Sequence, residues 1–152
     1  MARIQAKITI AASPLDVFRF CHDVEKRPLW DERVKRVKLL SSGSVRSGTL
    51  IQVDAARGER YLYTWDGEYS RYQYPSSSTI SVIDAAPSSP FSKGSESWQF
   101  DGVSEGTLVT VVWEYTPRNW IQSILDTFGK RLATGAAIRR SLANLKTLVE
   151  KK

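Results

Sequence analysis

The segment from Asn119 to Glu150 reads NWIQSILDTFGKRLATGAAIRRSLANLKTLVE. Its apolar residues Ile121, Leu125, Phe128, Leu132, Ile138, Leu142, Leu145 and Val149 are spaced three, four or six apart, which keeps them on one face of a 3.6-residue period. At 1.5 Å per residue, one uninterrupted helix through this stretch runs roughly 45 Å, enough to cross a small domain. A helix of that length with one apolar face must be buried against a second layer. Ala133-Thr134-Gly135-Ala136-Ala137 puts small side chains at its middle, so a helix packed at both ends leaves room for a hollow beneath Gly135.

Upstream the period changes from 3.6 to two. Ile4, Ala6, Ile8 and Ile10 alternate with Arg3, Gln5, Lys7 and Thr9 from the start Met1-Ala2 onward, a half-buried strand. Ser13-Pro14-Leu15-Asp16 then supplies an N-cap, a proline at the first helical position and an acid in the first turn. Val17, Phe20, Cys21 and Val24 form the buried face of this short helix. A second short segment, Glu25 to Trp30, is interrupted by Pro28. Strand pattern resumes at Val34–Leu40, with Gly43 and Gly48 marking a hairpin into Thr49–Ala55 and Arg57-Gly58 the next turn. Further strands carry Tyr61, Tyr63 and Trp65; Ile80 and Val82; Glu96, Trp98 and Phe100; and Val109, Val111, Trp113 and Tyr115. The order strand, two short helices, about six strands and long helix is α+β, and its hairpins predict one curved antiparallel sheet with the terminal helix on its concave face. Tyr61, Tyr63, Trp65, Trp98, Trp113 and Tyr115 fall on the inward parity.

With 152 residues and 41% hydrophobic content the chain is read as one domain with a real core. It holds no run near the roughly 18 apolar residues of a membrane span and no signal-peptide pattern; with the single cysteine, Cys21, this points to a cytoplasmic protein. The net charge of +6 is spread along the chain. Its one dense run, Arg33, Lys35, Arg36 and Lys38, splits between both faces of a strand, which reads as solvated surface and not as a nucleic-acid footprint. Transient contact of that run with anionic surfaces, without stable membrane insertion, would make association salt-sensitive.

One histidine and one cysteine cannot supply the three or four such ligands of a zinc site, so no metal is expected. No phosphate loop, dinucleotide fingerprint or nucleophile elbow occurs, and no cofactor is expected. Cys21 and His22 are adjacent and point about 100° apart on a helix, so Cys21 reads as a buried structural thiol. Glu96 shares the parity of Trp98 and Phe100: buried and unpaired it would be a general acid, at the sheet edge a wet carboxylate, and the second reading is favoured. His22 reads as a helix C-terminal cap partner in preference to a proton shuttle, and Arg71 and Arg131 as surface charges in preference to carboxylate anchors.

Four stretches carry a family likeness: Ile8-Thr9-Ile10-Ala11-Ala12-Ser13-Pro14-Leu15-Asp16-Val17-Phe18; Asp23-Val24 through Leu29-Trp30-Asp31; Gly106-Thr107-Leu108-Val109-Thr110 with Glu114; and Leu142-Ala143-Asn144-Leu145-Lys146. On these the chain resembles the START and polyketide cyclase superfamily, also called SRPBCC, which includes the birch-pollen allergen-like proteins. The resemblance covers nearly the whole chain, residues 1–152, as a single START-like domain. It implies the helix-grip fold, in which about seven antiparallel strands wrap on the C-terminal helix around a cavity for lipids, hormones, quinones or polyketides.

Two functions follow as expectations. The leading one is binding or transport of a small hydrophobic ligand by Trp30, Tyr63, Trp65, Trp98, Trp113, Tyr115, Phe128, Leu132 and Gly135, with Trp30 near the entrance. The alternative is a polyketide cyclase or aromatase-type enzyme in the same cavity, with Glu96 and His22 as candidate catalytic groups. A solid aromatic core competes with both.

Overall fold

The computed structural model describes residues 2–57 and 59–151; Met1 and Gly58, the latter half of the expected Arg57-Gly58 turn, lie outside the described residues, as does Lys152. The chain runs β1 (Ala2–Ile10), α1 (Pro14–Cys21), α2 (Arg27–Trp30), β2 (Val34–Leu39), β3 (Leu50–Arg57), β4 (Arg60–Gln73), β5 (Ser77–Ala85), β6 (Phe91–Val103), β7 (Gly106–Pro117), α3 (Trp120–Leu125), a π-helical segment (Asp126–Lys130) and α4 (Arg131–Glu150). Among the described residues the seven strands form one antiparallel sheet in the order β1-β7-β6-β5-β4-β3-β2, curled as a half-barrel against the C-terminal helix. Every neighbouring pair but β1–β7 is consecutive in sequence, as expected for a run of hairpins. The helix-grip α+β expectation, including the two short helices after β1, describes this arrangement.

Local chemistry sets the ends of these elements. Ser13 Oγ accepts from the Asp16 backbone N–H at 3.2 Å and Pro14 opens α1. Gly106, at φ +132°, turns β6 into β7 where any Cβ would come within 2.2 Å of the Ile10 carbonyl oxygen, so only glycine fits. Gly94 has a different use: a Cβ there would lie 2.8 Å from the Trp113 ring, and its absence lets that indole lie down on β6.

The terminal helix is not one piece. At Gly129 the backbone leaves helical geometry (φ 172°, ψ −42°), and the apolar face read as continuous divides there. In α4, Ile138, Leu142, Leu145 and Val149 are buried to 3% exposure or less, and Lys146 Nζ and the Glu150 carboxylate tie the helix to the Thr9 carbonyl and the Ala11 N–H. Before the break, Ile121, Leu125 and Phe128 face solvent, as does Leu132 just after it, with Phe128 at 83% and Leu132 at 79% exposure. The buried residue of that half is Asp126, at 5%. Its carboxylate accepts from the Tyr115 hydroxyl and from Arg131 Nε and Nη2. Three hydrogen bonds to a buried acid, each strengthened by charge, orient the segment polar side inward, and periodicity alone carries no sign of that preference.

Candidate functional site

Between the inner face of β3, β4, β6 and β7 and the run from α3 into α4 lies a cavity of about 610 Å³, within the usual range for small-molecule sites. Tyr63, Trp65, Phe91, Trp113 and Tyr115 form its aromatic wall. Edge-on contacts join Phe91 to Tyr63 (5.6 Å) and to Trp113 (5.2 Å), and Trp113 stacks on Tyr115 at 5.6 Å, so the rings brace one another. Ala55, Ala133 and Ala137 keep the space open with short side chains, and the exposed Leu62, Lys130 and Arg140 stand at its rim.

Another part of the lining is charged. Arg27, at the start of α2, and Arg33, just before β2, meet Glu96 of β6 and Asp31. Arg27 Nε binds Asp31 at 2.8 Å and its Nη2 binds Glu96 at 2.8 Å; Arg33 Nη2 lies 3.0 Å from both acids. Trp98 Nε1 donates to Glu96 Oε1 at 2.8 Å. Asp31 is 1% and Glu96 3% exposed, and burial alone pushes both carboxyls up. The guanidinium groups more than reverse this and hold both acids ionised, below their ordinary values. The wet-edge expectation for Glu96 is therefore corrected: its inward parity is real, and burial is tolerated because two cations and an indole N–H satisfy it. The same pairing removes it as a general acid, since a carboxyl held ionised has no proton to give.

His22 is 9% exposed and stacks on Phe18 at 3.9 Å. Its Nδ1 lies 2.9 Å from the Phe18 carbonyl oxygen, which can only accept, so Nδ1 carries the proton and Nε2 accepts from the Ser78 hydroxyl at 2.7 Å. Burial lowers its pKa to about 4. His22 caps α1, does not line the cavity, and both of its nitrogens are engaged. Cys21 is likewise buried, and burial pushes its thiol up, away from the reactive thiolate.

The sequence-derived ligand residues separate into three groups. Tyr63, Trp65, Trp113 and Tyr115 line the cavity. Trp30, Trp98 and Gly135 are buried and do not line it. Trp30, expected at an entrance, is 1% exposed, with Arg27 over its ring at 5.0 Å and the Trp98 ring edge-on at 5.7 Å. Gly135 faces Ile4 of β1, where a Cβ would sit 3.4 Å from Arg139 Nη1 and 3.6 Å from Ile4 Cγ2, in ordinary contact; the position packs helix against sheet and does not roof a hollow. Phe128 and Leu132 form the third group, turned outward by the break at Gly129.

Sequence reading missed Arg27, Asp31 and Arg33, having placed Arg33 in a surface run. The available signal was Arg27-x-x-x-Asp31-x-Arg33 around the large apolar Trp30, an alternation of charge beside a residue too large and apolar for open surface. Arg71 is exposed and donates to Gln73; Arg131, although half-exposed, does hold a carboxylate, that of Asp126.

No curated protein matches this chain in sequence. Solved structures do match in fold. The Thermus thermophilus protein TTHA0849 superposes with a TM-score of 0.80 at 17% identity, covering 97% of each chain. The Zhui aromatase/cyclase of Streptomyces sp. R1128 gives 0.77 at 13% identity, over 99% of this chain and 94% of its own. Ginseng major latex-like protein 151 of Panax ginseng gives 0.69 at 15% identity over 96% and 95%. Identities this low speak to the fold alone. The sequence pattern described as "Polyketide cyclase / dehydrase and lipid transport" matches residues 1–150, and the chain belongs to that family.

Proposed function

We propose that the protein binds a small, largely apolar molecule bearing at least one oxygen function, with its rings or chain against the aromatic wall and its oxygen toward Arg27 and Arg33. The observation that carries this is the 610 Å³ cavity lined by Tyr63, Trp65, Phe91, Trp113 and Tyr115 on one side and by two guanidinium groups on another. Each of those guanidiniums keeps N–H groups beyond the ones spent on Asp31 and Glu96, and a carbonyl or carboxylate is their natural acceptor. Aromatic walls supply affinity through area, and the charged lining selects against pure hydrocarbons.

Native mass spectrometry of the purified protein followed by extraction of what co-purifies identifies what it carries, and titration with that molecule, read by tryptophan fluorescence, gives its affinity. Ala137→Leu places three more carbons in the cavity and is expected to weaken binding at least roughly tenfold, with little change in thermal stability because Ala137 lines open space. Unchanged affinity, or a collapse of stability typical of overpacking, would exclude ligand uptake here.

One observation favours a second reading, that of an enzyme. Tyr115 and Asp126 both line the cavity, and the Tyr115 hydroxyl donates to Asp126, itself held by Arg131. Burial, then the contact with Asp126, pushes the Tyr115 hydroxyl up, so it keeps its proton at neutral pH. With its one proton given to Asp126, the Tyr115 hydroxyl can only accept from the cavity side, which suits holding a substrate hydroxyl or enol O–H in position for an aldol-type closure. Tyr115→Phe is expected to retain ligand binding and to lose turnover of an accepted polyketide-like substrate by roughly a hundredfold; turnover that survives the change excludes Tyr115.

A further inference from the structure

The stretch from α3 to the start of α4 is amphipathic with its sides reversed. Gln122, Asp126, Lys130 and Ala133 line the cavity. On the opposite side Trp120 is 72%, Ile121 50%, Ile124 48%, Leu125 45%, Phe128 83% and Leu132 79% exposed. The five before the break at Gly129 follow one another in steps of one, three, one and three, the spacing of one helix face, and Leu132 continues the exposed apolar surface just beyond it. An isolated exposed leucine is ordinary, whereas a contiguous face of this kind marks an interaction surface.

Charge selects the partner. The one acid of the segment, Asp126, is buried and bound to Tyr115 and Arg131. Of the two charged side chains reaching solvent along it, Arg131 is paired with Asp126, whereas Lys130 donates to the neutral Gln122 and keeps its charge uncompensated. Arg118, just before α3, spends its guanidinium on backbone carbonyls of Ala85, Ala86, Ser89 and Phe91, and among the described residues no carboxylate pairs with it. The chain as a whole carries +6. A tryptophan, a phenylalanine and aliphatic side chains flanked by cations match the boundary between headgroups and acyl chains of an anionic bilayer. The geometry points to this face as the docking surface by which the protein lies on an anionic lipid membrane, with the cavity lined by the same segment's other side.

The test needs no cavity ligand, so it fails or succeeds separately from the binding reading. The protein is co-sedimented with phosphatidylcholine vesicles prepared with and without phosphatidylglycerol, at low and high salt. Binding is expected to the anionic vesicles and to weaken with salt. The double substitution of Phe128→Ser and Leu132→Ser, both at largely hydrated side chains, is expected to lower vesicle affinity at least roughly tenfold with the melting temperature unchanged. Lys130→Gln is expected to lower it roughly fivefold. Absence of binding, equal binding to uncharged vesicles, or equal binding by the double variant would overturn the assignment. So would a dimer in solution that the double substitution dissolves, which would make this face a contact between two copies of the chain.

Discussion

Replacing Glu96 by glutamine is expected to lower the melting temperature by about 10 °C. The carboxylate is 3% exposed and lies 2.8 Å from Arg27 and 3.0 Å from Arg33. Glutamine keeps the volume and an oxygen for the Trp98 N–H, so packing is little disturbed and the change is one of charge. The buried cluster is then left with two guanidiniums and the single carboxylate of Asp31. Breaking one partner of a buried pair costs about 3 to 5 kcal/mol because the remaining charge has no compensation, and in a chain of this length each kcal/mol moves the melting point by about 2 to 4 °C. A calorimetric scan of wild type and Glu96→Gln at neutral pH checks it. A shift of a degree or less would mean that solvent in the cavity screens the two arginines. If the ligand's oxygen binds these same arginines, Glu96→Gln also alters affinity, and a ligand with an anionic head would recover part of the lost stability.

The second large effect is a loss of stability between about pH 6.5 and about pH 4 owing to one side chain. His22 is the single histidine of the chain. Unfolded, it titrates near 6.5; folded, burial holds it down at about 4. Between those values the unfolded chain binds a proton that the folded chain refuses, so stability is full above the unfolded value, falls as pH drops, and levels off below the folded one. About two and a half pKa units amount to roughly 3 kcal/mol. Asp31 and Glu96, both held below their ordinary values of 3.8 and 4.5, act lower: their contribution is complete above those ordinary values and drains away as pH falls past them. Urea unfolding at about pH 7, 5.5 and 4 should therefore show an early decline in wild type. In His22→Gln that decline should be missing, leaving the loss that sets in near pH 4. The variant loses the stack on Phe18 and is less stable at neutral pH, so the comparison is of slopes. A variant with the wild-type slope would show that His22 is protonated in the folded state or that other groups govern this range.

Much of the fold is legible in the chain itself. Alternation in Ile4–Ile10, the Ser13-Pro14 cap, the turns at Gly43 and Gly48, and aromatic parity along β4 from Tyr63, β6 and β7 are local properties, because hydrogen-bond geometry and side-chain period do not depend on distant partners; Tyr61, read on the same parity, is 50% exposed, beside a register shift between Ala55 and Ala56. The order of these elements was enough to predict a curled antiparallel sheet and a terminal helix, and the cavity wall of Tyr63, Trp65, Trp113 and Tyr115 follows from parity once the sheet is curled.

What stayed hidden depended on contacts between residues far apart in sequence. Glu96 looks costly in its strand until Arg27 and Arg33, 69 and 63 positions away, are brought against it, and no local rule says that a lysine- and arginine-rich run will turn one of its members inward. The helix face from Ile121 to Leu132 has the same periodicity as the face from Ile138 to Val149. Periodicity states that a helix has an apolar side, and the tertiary structure decides which side is buried. Here the buried acid Asp126, fixed by Tyr115 and Arg131, turns the first half over at Gly129. The sequence by itself thus determined the strands, the short helices, the order of elements and the inward parity of the sheet from Tyr63 onward, since these arise within a few residues; the break of the terminal helix at Gly129, the charged lining of the cavity and the outward apolar face were decided only by tertiary structure, since each is the outcome of competing burial preferences settled by partners brought together by the fold.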